Sequence, residues 1–133
     1  MPYLVDSNLV IDHLAEVSEA SQFLDAFAQE GIVISIVTYM EAFQGVVRSE
    51  RPKEASEKFH SFADKVLILP FSIAVAERCA RLRETLRSQN KRVKSRALDL
   101  IIAATALEYN LTLVTKNTDD FKDIPDLVLS QPR

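Results

Sequence analysis

This chain of 133 residues has two glycines, Gly31 and Gly45, and a single cysteine, Cys79. Two isolated glycines cannot form the glycine-rich loop that cradles a nucleotide phosphate, and neither belongs to a GxSxG nucleophile elbow. One cysteine excludes an internal disulfide and favours a reducing compartment. Cys79 falls in an apolar helical stripe and reads as a buried structural thiol. Neither histidine, His13 or His60, makes a zinc-type spacing with it. Long apolar runs are lacking too. The longest, "LIIAATAL" at 100–107, is far too short to span a bilayer. No basic segment leads into a long apolar stretch near the start, so no signal peptide is expected and a cytoplasmic location follows. Excess positive charge is also missing: the net charge is −3, so contact with nucleic acid must come from a local basic patch.

What is present suits one domain over 1–133. The apolar share of 47% is ample for a core, and the 26% of charged residues, with both signs interspersed, argues against disorder. Residues 2–5 read as a first strand, buried on both faces because the apolar run does not alternate. The apolar pattern resumes at Leu9. A helix is expected at 18–29, with Ser18 as cap, Phe23, Leu24 and Phe27 on one face, and Gly31 at its end. "IVISIV" at 32–37 is β-branched and reads as the second strand. Helix follows at 39–47, and the polar stretch 48–58 leads into another that turns Phe59 and Phe62 inward. "VLIL" at 66–69 is the third strand. Between 73 and 89, Val75, Cys79, Leu82 and Leu86 recur at helical spacing. A basic loop at 90–96 enters a helix at 97–109, then "LTLVT" at 111–115 and "LVLS" at 127–130 are the fourth and fifth strands. Strands separated by helices predict a three-layer α/β/α fold around a mainly parallel sheet of four to five strands.

The acids then fall into a pattern. In a parallel sheet the ligand site lies beyond the carboxyl ends of the strands. Asp6 directly follows the first strand. Glu41 lies just past the second, and Asn117, Asp119 and Asp120 follow the fourth. Asp99 precedes its strand, but the crossover helix runs antiparallel to the sheet, so its first turn returns to that same edge. Each acid alone has an ordinary explanation as a helix cap: Asp6 beside Ser7 and Asn8, Thr38 with Glu41 as a capping box, Asp99 in a first turn favoured by the helix dipole. Together, carboxylates on one rim raise one another's pKa unless a cation neutralises them. Oxygen ligands select a hard ion, Mg²⁺ or Mn²⁺, over zinc. The run Lys91-Arg92-Val93-Lys94-Ser95-Arg96 opposes the dipole of the helix it enters. As a solvated loop it needs no function, but beside an acidic metal site it supplies phosphate contacts, to which Lys116 can add.

The segments "YLVDSNLVID", "ISIVTYMEAFQG" and "ALDLIIAATALEYNLTLVTKNTDDF" closely resemble, in order and spacing, the blocks of PIN-domain ribonucleases, specifically VapC-type toxins of toxin–antitoxin systems. The resemblance implies a Mg²⁺- or Mn²⁺-dependent endoribonuclease acting on structured RNA such as tRNA or rRNA. It further implies a homodimer, with higher assemblies open, held inactive by a VapB-like antitoxin. Asp6, Glu41 and Asp99 match the family's metal-holding acids. For the fourth position Asp120 and Asn117 stand level, with Asp119 behind. Ser7, Asn8, Thr38 and Thr115 are implied to orient the acids, and Lys91, Arg92, Lys94, Arg96 and Lys116 to contact RNA. In the implied mechanism a metal-activated water attacks phosphorus and leaves a 5′-phosphate and a 3′-hydroxyl. The alternative is a catalytically silent PIN-like partner-binding module. A receiver-like phosphoacceptor domain needs an Asp after the third strand, where Pro70-Phe71 stands.

Overall fold

The computed structural model describes residues 3–132. Five strands form one all-parallel sheet in the order β3-β2-β1-β4-β5: β1 (Tyr3–Val5), β2 (Ile32–Ser35), β3 (Leu67–Leu69), β4 (Thr112–Val114) and β5 (Leu129–Ser130). Successive strand residues alternate between faces and each face is covered. Leu4, Val33 and Leu113 point into one core with Val75, Cys79, Leu82 and Leu86 of α5 (Ile73–Ser88) and Leu100, Ile102 and Ala103 of α6 (Ala97–Glu108). Val5, Ile34 and Val114 point into the other. There they meet α1 (Ser7–Leu14), α2 (Ser18–Phe27), α3 (Ile36–Arg48) and α4 (Pro52–Ala63) through Leu9, Phe23, Ala42 and Phe59. The expected three-layer fold is thus observed.

The chain adds β2 and β3 to one side of β1, then crosses to place β4 on the other side. The carboxyl ends of β1 and β4 therefore form the switch point, where such sheets open a crevice. Asparagine does the work that scarce glycine does elsewhere: Asn90 and Asn110 take left-handed φ values of 61° and 55° just after α5 and α6. They let Lys91 N and Leu111 N donate back to Leu86 O and Ala106 O, closing the helices.

Several boundaries differ from the sequence reading. β2 stops at Ser35 rather than 37, because the Ser35 hydroxyl accepts from Thr38 N at 3.1 Å and starts α3 at Ile36, taking the last two residues of the β-branched run into the helix. That displaces Thr38 as a cap and dissolves the Thr38–Glu41 capping box. Ser18 does not cap α2 either: Val17 holds that position, and the Ser18 hydroxyl accepts from Gln22 Nε2 at 3.3 Å. α1 is a full helix where only a resumed apolar pattern was noted. Phe59 is fully buried, whereas Phe62 is half-buried against His13. Residue 2 and the Phe27 side chain, both part of the expected pattern, lie outside the described residues.

Candidate functional site

Asp6 leaves β1 with extended backbone (φ −68°, ψ 154°) and caps α1, one carboxylate oxygen accepting from Ser7 N at 2.8 Å. Its other oxygen accepts from the Thr115 hydroxyl at 2.7 Å, so the same buried side chain also spans the switch point. Capping and site-building are therefore one arrangement. Thr115 in turn accepts from Asn117 N at 3.0 Å, fixing how the chain leaves β4.

Glu41 arrives from the second turn of α3. Its Oε1 accepts from the Ser7 hydroxyl at 2.6 Å, and Ser7 also shares a 3.0 Å hydrogen bond with the buried Thr38 hydroxyl. Asp99 stands in the first turn of α6. Asp120 sits in a short 3₁₀ turn, Thr118–Asp120, held from beneath by the buried Phe121.

The charges register one another. Burial lifts the Asp99 carboxyl to about 6, and the negative charges of Asp6, Glu41 and Asp120 push the same way against a weaker pull from Arg96. Asp6 is also raised, by burial first, then by Glu41 and Asp120, over the opposing hydrogen bonds from Thr115 and Ser7. Asp6, Glu41, Asp99 and Asp120 thus share one electrostatic environment. Among the described residues no three acidic, histidine or cysteine side chains close into a compact metal cage. What joins these four acids is their mutual electrostatic coupling.

Of the alternatives after β4, Asp120 is the one coupled to Asp6 and Asp99. Asp119 is turned outward, 88% exposed, and pairs with Lys122 at 3.2 Å. Asn117 is exposed, with no hydrogen bond from its amide to any of the acids. Asn8 is exposed as well and bonds none of the acids, so the expected orienting role is not seen. Ser7 and Thr115 hydrogen-bond Glu41 and Asp6 directly, and Thr38 reaches Glu41 only through Ser7.

The basic segment divides. Lys91, Arg92 and Lys94 are exposed. Arg96 is not available for RNA: its side chain is 5% exposed and clasps Asp123 through two bonds of 2.8 and 2.7 Å. Lys116 is ion-paired with Asp12. Asp123 and Asp12 had no signal in the sequence, because each meets a partner 27 or 104 residues away. Ser35 was legible in principle, as a hydroxyl three residues ahead of Thr38 at a strand end.

The donor set fits a hard divalent cation: carboxylate oxygens carry unbalanced negative charge, and the flanking cations Arg96 and Lys116 are already paired. The histidines serve elsewhere, His13 Nδ1 with the Ser21 hydroxyl at 2.9 Å and His60 against Phe43 and Phe59.

An all-parallel sheet with coupled carboxylates near its switch point defines the class as an α/β domain. A family model described as the PIN domain matches residues 3–127, and the chain belongs to that family. Among its relatives is Ribonuclease VapC2 of Rickettsia felis, 29% identical over 131 residues, covering 97% of this chain and 96% of the relative. The tRNA(fMet)-specific endonuclease VapC of Shigella flexneri is 25% identical over 127 residues, covering 96% and 95%. The solved structure of VapBC2 from Rickettsia felis, bound to a DNA fragment from their promoter, contains a chain similar to this one. It is 28% identical, with a TM-score of 0.87 and 98% of each chain covered. The resemblance read from the sequence is borne out in family and fold.

Proposed function

We propose that this chain is a Mg²⁺- or Mn²⁺-dependent endoribonuclease toxin of the VapC type, cleaving structured RNA such as tRNA or rRNA in the cytoplasm. A VapB-like antitoxin holds it inactive, and it works as a homodimer. The whole of 1–133 serves as one domain. The relatives named as ribonuclease VapC, and the VapBC complex among the similar structures, support the enzyme class and the antitoxin partner. The single observation that carries the reading is the coupling of Asp6, Glu41, Asp99 and Asp120: burial first, then repulsion from the other three acids, raises the Asp99 carboxyl to about 6.

Asp6, Glu41, Asp99 and Asp120 would hold the cation, with Asn117 at the margin able to bond a water. When bound, such an ion activates water and neutralises the charge that develops in an in-line phosphoryl displacement. The chain itself supplies the alignment. Thr115 and Ser7 N fix both oxygens of Asp6, and the Ser7 hydroxyl, steadied by Thr38, fixes Glu41. The exposed Lys91, Arg92 and Lys94 offer phosphate contacts beside the helix that carries Asp99. Among the described residues no helix is long and apolar enough to cross a membrane.

The test uses protein freed of co-purified antitoxin. RNA is cut with Mg²⁺ or Mn²⁺, cutting stops with EDTA, and Asp6→Asn and Asp99→Asn each abolish it. Variants that cut as fast as the parent would mean a contaminating nuclease and return the chain to the silent partner-binding reading. Sequencing RNA 5′ ends after induced expression identifies the target.

A further inference from the structure

Arg96 is out of place for an ordinary basic-loop residue. It ends the 3₁₀ turn Lys94–Arg96 and stands at the N-terminus of α6, where a cation opposes the helix dipole. Burying a guanidinium there costs several kcal/mol unless its donors are met. They are met by three parts of the chain. Nε donates to Arg92 O at 2.7 Å, Nη1 to Asp120 O at 3.0 Å and Asp123 Oδ1 at 2.8 Å, and Nη2 to Asp123 Oδ2 at 2.7 Å. The Asp123 carboxylate balances the charge, so the pair is not a phosphate site. What remains is a planar fork that fastens the start of α6 to the loop after β4.

Those two segments carry Asp99 and Asp120. Asp99 is three residues beyond Arg96 on a rigid helix. Asp120 is held through its backbone alone: its carbonyl accepts from Arg96, its N–H donates to Asn117 O at 3.0 Å, and Phe121 beside it is buried to 1% exposure. Among the described residues nothing hydrogen-bonds the Asp120 carboxylate, so its aim depends on how that backbone is seated.

We propose that Arg96 is a positioning residue for the acidic rim: clasping Asp123 and the Asp120 carbonyl, it seats the Asp120 carboxylate opposite Asp99 for a divalent cation. This rests on the metal-dependent nuclease reading. It also explains why an arginine is used. A lysine ammonium carries the same charge but cannot span Asp123, Asp120 O and Arg92 O from one rigid plane.

The decisive comparison is Arg96→Lys in the full chain, measured by Mn²⁺ titration calorimetry and by steady-state RNA cleavage. Mn²⁺ affinity is expected to fall about 10–100-fold, the range typical for residues that orient metal ligands. Cleavage loses kcat while KM for RNA stays put. In an Asp120→Asn background the same Arg96→Lys change has no further effect on Mn²⁺ binding, because the carboxylate it positions is gone. If Arg96→Lys raises KM with Mn²⁺ affinity intact, Arg96 is a phosphate contact and the assignment fails. Equal loss in the Asp120→Asn background overturns it as well. Should Arg96→Lys not fold, Asp123→Asn carries the same two expectations. A parent that binds no Mn²⁺ overturns the nuclease reading and this assignment together. A parent that binds it, with Arg96→Lys indistinguishable, overturns the assignment alone.

Discussion

The Thr115 hydroxyl donates to Asp6 Oδ2 at 2.7 Å, joining residues 109 positions apart across the switch point of the sheet. This bond orders the first strand against the fourth at the place where the acids gather. It also favours the charged form of Asp6, offsetting part of the burial that raises its carboxyl above the usual carboxylate range.

Thr115→Val keeps the shape and removes the donor. One buried oxygen of Asp6 then loses its partner, at a cost of about 1–3 kcal/mol, and the part-buried Asn117 N–H loses its acceptor. The variant is expected to unfold at lower urea and to bind Mn²⁺ more weakly, whereas Thr115→Ser retains both properties. Equal urea midpoints for Val and parent would show that this bond is not what holds Asp6.

Asp99→Asn is expected to separate stability from activity. In the folded chain the Asp99 carboxyl keeps its proton to about pH 6, against 3.8 as the ordinary value. The unfolded chain ionises first, so between about pH 4 and 6 it binds fewer protons, and the contribution of Asp99 to stability falls as pH rises. Removing the carboxyl removes that loss. In EDTA, Asp99→Asn should melt above the parent at pH 7.5, by an amount on the order of 1 kcal/mol in stability, with the gap closing towards pH 4. Added Mg²⁺ reverses the ranking by stabilising the parent only. Melting curves across this pH range check it, and a variant that melts below the parent at every pH in EDTA would contradict the argument from burial and repulsion.

Ser7→Ala tests the link from α1 to α3. Glu41 loses its 2.6 Å donor and Thr38 its 3.0 Å partner, while the Ser7 backbone still caps through Asp6. RNA cleavage should fall roughly 10-fold. The melting temperature should fall only modestly, because the buried Thr38 hydroxyl keeps its 3.5 Å bond to the Ser35 hydroxyl. Ser7→Thr is not a fair control in this buried place; Glu41→Gln is, and combining it with Ser7→Ala should add nothing further.

The residues that were legible in the sequence are those whose role is local. Asp6 ends an apolar run, Asp99 sits in a first turn, and Val75, Cys79, Leu82 and Leu86 repeat at helical spacing; each landed where the pattern placed it. The end of β2 was misjudged because Ile36 and Val37 are β-branched. One hydroxyl, Ser35, overrode that propensity by capping α3. Arg96 was misread for a different reason. Its neighbours Lys91, Arg92 and Lys94 are solvent-facing, and nothing within the segment distinguishes the one cation whose partner, Asp123, comes from beyond β4.

That division of the basic segment gives the last prediction. Lys91, Arg92 and Lys94 are exposed and free to meet phosphates, whereas Lys116 is paired with Asp12. Neutralising the three together, Lys91→Gln, Arg92→Gln and Lys94→Gln, removes up to three counterion-releasing contacts. The logarithm of apparent RNA affinity should then fall less steeply with the logarithm of salt, by about 0.7 per contact for single-stranded regions. KM rises at low salt, kcat and Mn²⁺ affinity hold, and the melting temperature barely moves, since solvated cations ahead of α6 contribute nothing favourable to its dipole. Lys116→Gln alone should do less, because its charge is already balanced. The measurement is cleavage kinetics across a salt series. An unchanged slope in the triple variant would mean that RNA approaches the acidic rim over some other surface.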